Sequence, residues 1–204
     1  MTGVSVTFEE FAAMLILILG IALFLGAHVF STLRGARAKI IEQYGLNAYK
    51  GAYSAVALLG LILIVYGFSR YRAEGMVHIW DPPTWARHVA MPLVWFAFVA
   101  LASRRAPPSR IRGWLRHPTL VAIKSWAAAH LLANGDLGGM ILFGSFLAFG
   151  VYDRIAVKRR GDEGAPRLDA FTRGDAIALG AGTALFAVVL LAHPYLFGVA
   201  VLRG

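Results

Sequence analysis

Apolar positions along the chain are gathered into long blocks rather than spaced at the three-to-four interval of a surface helix. The blocks cover roughly 11–31, 51–69, 88–103, 119–134, 137–156 and 174–195, each bounded by charged or turn-forming residues. A membrane-crossing helix needs about 20 mostly apolar residues. The pattern therefore predicts an all-α, polytopic membrane helix bundle of about six transmembrane helices, forming a single domain over 1–204. The fourth block is the weakest, because it is short, contains Lys124 and ends in the turn-forming run Asn134-Gly135-Asp136. Small residues in the blocks predict close helix packing, among them Gly20, Gly26, Ala127, Ala128, Ala129 and the run "ALGAGTALFA" at 178–187.

The loops between blocks differ in charge. The N-terminal tail has Glu9 and Glu10 and no Lys or Arg, and the first loop has Arg34, Arg37, Lys39 and Lys50. Arg70, Arg72 and Arg87 in the second loop are diluted by Glu74 and Asp81. The third loop carries Arg104, Arg105, Arg110, Arg112 and Arg116, the fourth only Asp136, and the fifth Lys158, Arg159, Arg160, Arg167 and Arg173. Basic residues concentrate on the cytoplasmic side, so loops one, three and five are expected there and both termini outside. Composition agrees with a membrane protein: 58% of residues are hydrophobic and 15% charged, against about a quarter charged in soluble domains. The net charge of +9 is accounted for by orientation and anionic lipid, and no nucleic-acid partner is expected. With no cysteine, disulfide and thiolate chemistry are excluded. The start "MTGVSVTFEE" lacks a basic n-region and a cleavage site, so the first block reads as a retained span.

Ionisable groups inside a membrane are costly and mark partners or cavities. Of six histidines, His28 in "FLGAHVF" and His130 in "AAAHLLA" have apolar surroundings. His78 is in a loop, His88 and His193 sit at span edges, and His117 follows a run of arginines. Each of His28 and His130 is a packing residue or a ligand, and two on separate helices favour a shared ligand such as haem iron. His28 lies six residues inward of Arg34 and His130 six residues inward of Lys124, about 9 Å along a helix in each case. If both cations mark one surface, the imidazoles lie at matching depth on antiparallel helices. If Arg116 marks it instead, His117 is the nearer partner of His28. Asp136 is a turn residue or a group orienting His130. The carboxylates of "DEGAPRLDAFTRGD", 162–175, read as a solvated loop. Neither a G-x-S-x-G elbow nor a phosphate-cradling glycine loop is present.

The segments "ALFLGAH" (22–28), "LIVYGFSR" (63–70), "WDPPTWARH" (80–88), "RHPTLVAIKSWAAAHLLANGD" (116–136) and "DRIAVKRR" (153–160) resemble those of the NnrU family through most of the chain. The resemblance implies a multi-pass protein of the bacterial inner membrane linked to denitrification and the response to nitrite and nitric oxide. The same superfamily includes 15-cis-zeta-carotene isomerase, a haem b protein similar in its first-span histidine, R-H-P motif and a histidine thirteen residues later, here His28, His117 and His130. That similarity implies His28 and His130 as axial ligands of haem b; Arg34 and Arg116, at the cytoplasmic edge, either mark topology or meet its propionates. A cysteine of the isomerase is replaced here by Ala127, so no thiolate ligand switch is implied. The leading expectation is a haem protein of nitrogen-oxide metabolism: a sensor, an electron carrier with a redox partner, or an assembly factor. The enzymatic alternative is a haem-dependent isomerase of a polyene or similar lipid-soluble substrate, its cavity lined by Trp95, Phe96, Phe98 and Trp126. A third reading, a membrane methyltransferase using S-adenosylmethionine, draws on the R-H-P motif but lacks the paired glutamates expected after the fifth span.

Overall fold

The structure is a computed structural model that describes residues 8–201. It contains α1 (Phe8–Thr32), α2 (Arg34–Tyr44), α3 (Leu46–Glu74), α4 (Thr84–Arg105), α5 (Arg110–Leu115), α6 (Pro118–Ala133), α7 (Leu137–Arg159) and α8 (Arg173–Phe197). Among the described residues there is no strand, only an isolated bridge between His78 and Asp136. Helices α1, α3, α4, α7 and α8 are long and apolar enough to cross a membrane, and 11–33% of their most apolar windows is buried inside the protein. Side chains such as Leu59, Ile62, Val65, Val188 and Leu191 point outward, which in water would be prohibitive and in lipid costs nothing. The protein is thus a multi-pass membrane protein of all-α class.

Two predicted features turn out differently. The fourth block forms α6, a helix of 16 residues, shorter than a full crossing requires. Pro118 starts it and Asn134 ends it in extended conformation, so the turn signal seen in the sequence cuts it short. The basic loops one and three are partly helical, as α2 and α5.

The chain divides into two compact units. Unit 1 holds the described residues through Trp80 together with Gly135–Phe149, and unit 2 holds Asp81–Asn134 and the described residues from Gly150 on. In unit 1, α1 packs along α3 on a glycine seam. A Cβ on Gly20 would lie 2.6 Å from the Ile64 nitrogen, and one on Gly60 2.6 Å from that of Phe24. One on Gly67 would lie 2.5 Å from the Leu17 nitrogen. Only glycine allows such backbone contact. Gly26, expected to share this role, has nothing within 4 Å of a built Cβ, so it lies off the seam.

In unit 2, α4 packs against both α6 and α8. Ala97, Ala100 and Ala122 form the core with Leu115, Val121 and Trp126 against them, and Ala127 and Ala129 are fully buried. Gly182 of α8 meets the Val99 backbone, and the Trp95 indole donates to the Thr183 hydroxyl at 2.9 Å. The basic end is tied by polar groups. Asp175 is fully buried, and its carboxylate accepts from the backbone nitrogens of Arg110 (3.1 Å), Ile111 (2.7 Å) and Thr172 (2.8 Å). One side chain therefore caps α5 and, with Thr172, forms the capping box that starts α8. The expectation that residues 162–175 are a solvated loop fails at this residue, because the helix-start amides it satisfies require an acceptor that water cannot reach.

Candidate functional site

His28 lies on the last turns of α1, half-buried, with Nδ1 2.7 Å from the Phe24 carbonyl oxygen. A carbonyl only accepts, so Nδ1 carries the proton and Nε2 is the basic nitrogen. The ring is set among aromatics of unit 1: Phe24 at 4.4 Å, Tyr53 at 5.6 Å and Phe149 at 5.9 Å between ring centroids. The cluster continues from Tyr53 to Tyr49 at 6.2 Å, with the Arg37 guanidinium 5.5 Å over the Tyr49 ring. The Tyr49 hydroxyl is buried and has no hydrogen-bond partner among the described residues. An unpaired buried hydroxyl is costly, so it offers a polar handle to a group bound among these rings.

His130, on the last turns of α6 in unit 2, repeats the arrangement. Its Nδ1 is 2.8 Å from the Trp126 carbonyl oxygen, one turn back, and the Trp126 ring lies 5.1 Å away. The His130 carbonyl receives the Asn134 side-chain amide at 2.8 Å, which fixes the end of the helix. His130 too therefore donates Nδ1 to a carbonyl and leaves Nε2 as the nitrogen available to a ligand. Ligating histidines characteristically hold their other ring nitrogen on a carbonyl or carboxylate in this way.

His117 is different. Its Nε2 donates to the Asp162 carbonyl at 3.2 Å, so the nitrogen that His28 and His130 keep basic is protonated here. Arg116, beside it, has a positive φ of 61° and donates to the Ala165 carbonyl at 3.1 Å. Its guanidinium also lies 3.8 Å from Glu163. Together Arg116 and His117 clamp the 162–165 loop to the start of α6. Arg34 opens α2 and is exposed in unit 1. Asp136 accepts from the Gly139 nitrogen at 2.7 Å, which is the turn reading, while the Trp126 carbonyl orients His130. Of the aromatic residues expected to line a cavity, Trp95 bonds Thr183, Phe98 packs on Phe186 and Trp126 lies on His130.

Three further residues lie near these histidines without a local sequence signal for it: His193, Tyr49 and Tyr53. His193 donates Nδ1 to the Val199 carbonyl at 2.9 Å, packs on Phe197 and lies within electrostatic reach of His130. Tyr49 and Tyr53 are one helical turn apart, a spacing visible in the sequence once α3 is known to begin at Leu46. Among the described residues no three His, Asp or Glu side chains gather as a metal ion would require. Haem iron makes a smaller demand, one imidazole on each face. The donor chemistry at His28 and His130 suits that demand, because Nδ1 of each is committed to a carbonyl and Nε2 is the nitrogen left to ligate.

Compared with protein-family models, the chain matches the family described as "NnrU protein" over residues 16–201. No curated protein and no solved structure gave a significant match.

Proposed function

Because the chain belongs to the NnrU family, we propose that it is a haem b protein of the bacterial inner membrane acting in nitrite and nitric oxide metabolism. In this reading His28 and His130 would each offer an imidazole to hold the haem, the basic loops face the cytoplasm and both termini face the periplasm. The observation that carries it is the shared ring geometry: both histidines spend Nδ1 on the carbonyl one turn back. That bond fixes the tautomer and the ring plane before any ligand arrives, which lowers the cost of binding. The bound group would supply one-electron chemistry. The chain's own residues would hold it, keep water away with the aromatic rings of unit 1, and offer it the Tyr49 hydroxyl. In this reading His117 holds the loop rather than the haem, its Nε2 proton being donated to the Asp162 carbonyl.

The test is the reduced-minus-oxidised absorption spectrum of the full chain purified in detergent after haem supplementation. Sharp α and β bands are expected, and His28→Ala and His130→Ala should each abolish or change them. A colourless protein would refute the reading.

A further inference from the structure

A shallow groove runs between α4 and α8 at the basic end of unit 2, with a volume of about 350 Å³. Its walls are Leu101, Ala102, Ile177, Ala181 and Leu185, and Arg105 lies at one end. Leu101, Ile177 and Leu185 remain about 40% exposed, so these walls face outward from the unit rather than into its core. The groove exists because Ala102 and Ala181 are small where their neighbours are Leu and Ile. Arg105 is the last residue of α4, where the apolar span gives way to the polar turn through Pro107 and Pro108. No acidic residue lines it, and the nearest one in α8, Asp175, is buried and turned to the amides of Arg110 and Ile111.

The end of the groove is held rigid. Thr172 donates to the Pro108 carbonyl at 3.0 Å, Gly174 packs on the Pro107 carbonyl, and Asp175 joins the starts of α5 and α8. The cationic end and the apolar trough are thus fixed relative to one another before anything binds. A ligand matching them needs an unbranched apolar chain and a negative group at one end. The size is at the lower limit of small-molecule sites, sufficient for a single acyl chain. An outward-facing trough in a membrane-crossing helix pair meets lipid first, and the charge selects the lipid.

We propose that the α4–α8 groove is a binding site for one anionic phospholipid, with an acyl chain along Ala102 and Ala181 and the phosphate on Arg105. Native mass spectrometry of the full chain in an equimolar mixture of phosphatidylglycerol and phosphatidylcholine tests it. Wild type should retain one phosphatidylglycerol in roughly fivefold preference, the effect of about one basic residue at a membrane surface. Arg105→Gln should remove the preference, Arg105→Lys should keep it, and Ala181→Leu, which fills the trough from an exposed position, should remove the bound lipid. Inorganic phosphate alone should give no Arg105-dependent adduct. Equal retention of both lipids, or a preference unchanged in Arg105→Gln, would overturn the proposal. So would a cross-link between two copies through Ala181→Cys, which the cysteine-free sequence makes easy to read. The Arg105 variants change an exposed side chain, so the outcome does not depend on whether Ala181→Leu folds.

Discussion

Unit 1 and unit 2 hold comparable helices together by different means. In unit 1 the seam between α1 and α3 is backbone against backbone, made by Gly20, Gly60 and Gly67, and the buried Tyr71 hydroxyl, which accepts from the Val77 nitrogen at 3.0 Å, is a polar tie at its end. In unit 2 the helices meet through alanines, and polar groups tie the basic end: Asp175, Thr172, Ser109, Arg116 and His117. Without a hydrophobic drive between helices in lipid, close van der Waals contact and hydrogen bonds are the means left. The two units rely on them in opposite proportion. Their histidines nonetheless converge, since His28 and His130 use the same bond to the carbonyl one turn back. The same ring-to-backbone bond therefore forms in two different packing surroundings.

Substitutions in the two units separate these two modes of packing. Gly67→Leu should have the largest effect, because its Cβ would meet the Leu17 backbone. A loss of about 3 kcal/mol or more is expected, seen as failure to recover monodisperse protein. Gly26→Leu, on the same helix as Gly20 but off the seam, should leave yield and melting temperature unchanged. In unit 2, Asp175→Ala strands three buried amide donors and should cost about 2–3 kcal/mol. Hydrogen exchange should then accelerate at Arg110, Ile111 and Thr172, and Asp175→Asn, which keeps one acceptor oxygen, should recover part of the protection. Trp95→Phe removes a single interhelical bond and should cost about 0.6 kcal/mol, measured by thermal unfolding in detergent. Equal sensitivity of the two units to the glycine and the carboxylate changes would remove the contrast.

Much of this architecture was legible from the chain. Five of the six apolar blocks became helices of crossing length, because unbroken hydrophobicity admits no other structure in lipid. The fourth did not, since Pro118 and Asn134 bound it closely, and both were visible. Asp175 was misread because its segment is rich in charge, although Thr172-x-x-Asp175 before an apolar run is the signature of a helix start. The histidines could be sorted by apolar context, and that selected His28 and His130. Hydrogen-bond partners could not be read this way. The reversed tautomer of His117 depends on the Asp162 carbonyl, 45 residues away, which no local pattern reveals. His193 was set aside for its place at a span edge, and its relation to His130 follows only from the packing of unit 2.

The most direct measurement compares three variants in one experiment: the reduced-minus-oxidised spectrum and haem content of His28→Ala, His130→Ala and His117→Ala proteins purified in parallel. His28→Ala and His130→Ala should lose or alter the bis-imidazole bands, while His117→Ala retains them at near wild-type haem content. Loss of the bands in His117→Ala with retention in either of the others would contradict the ligand assignment.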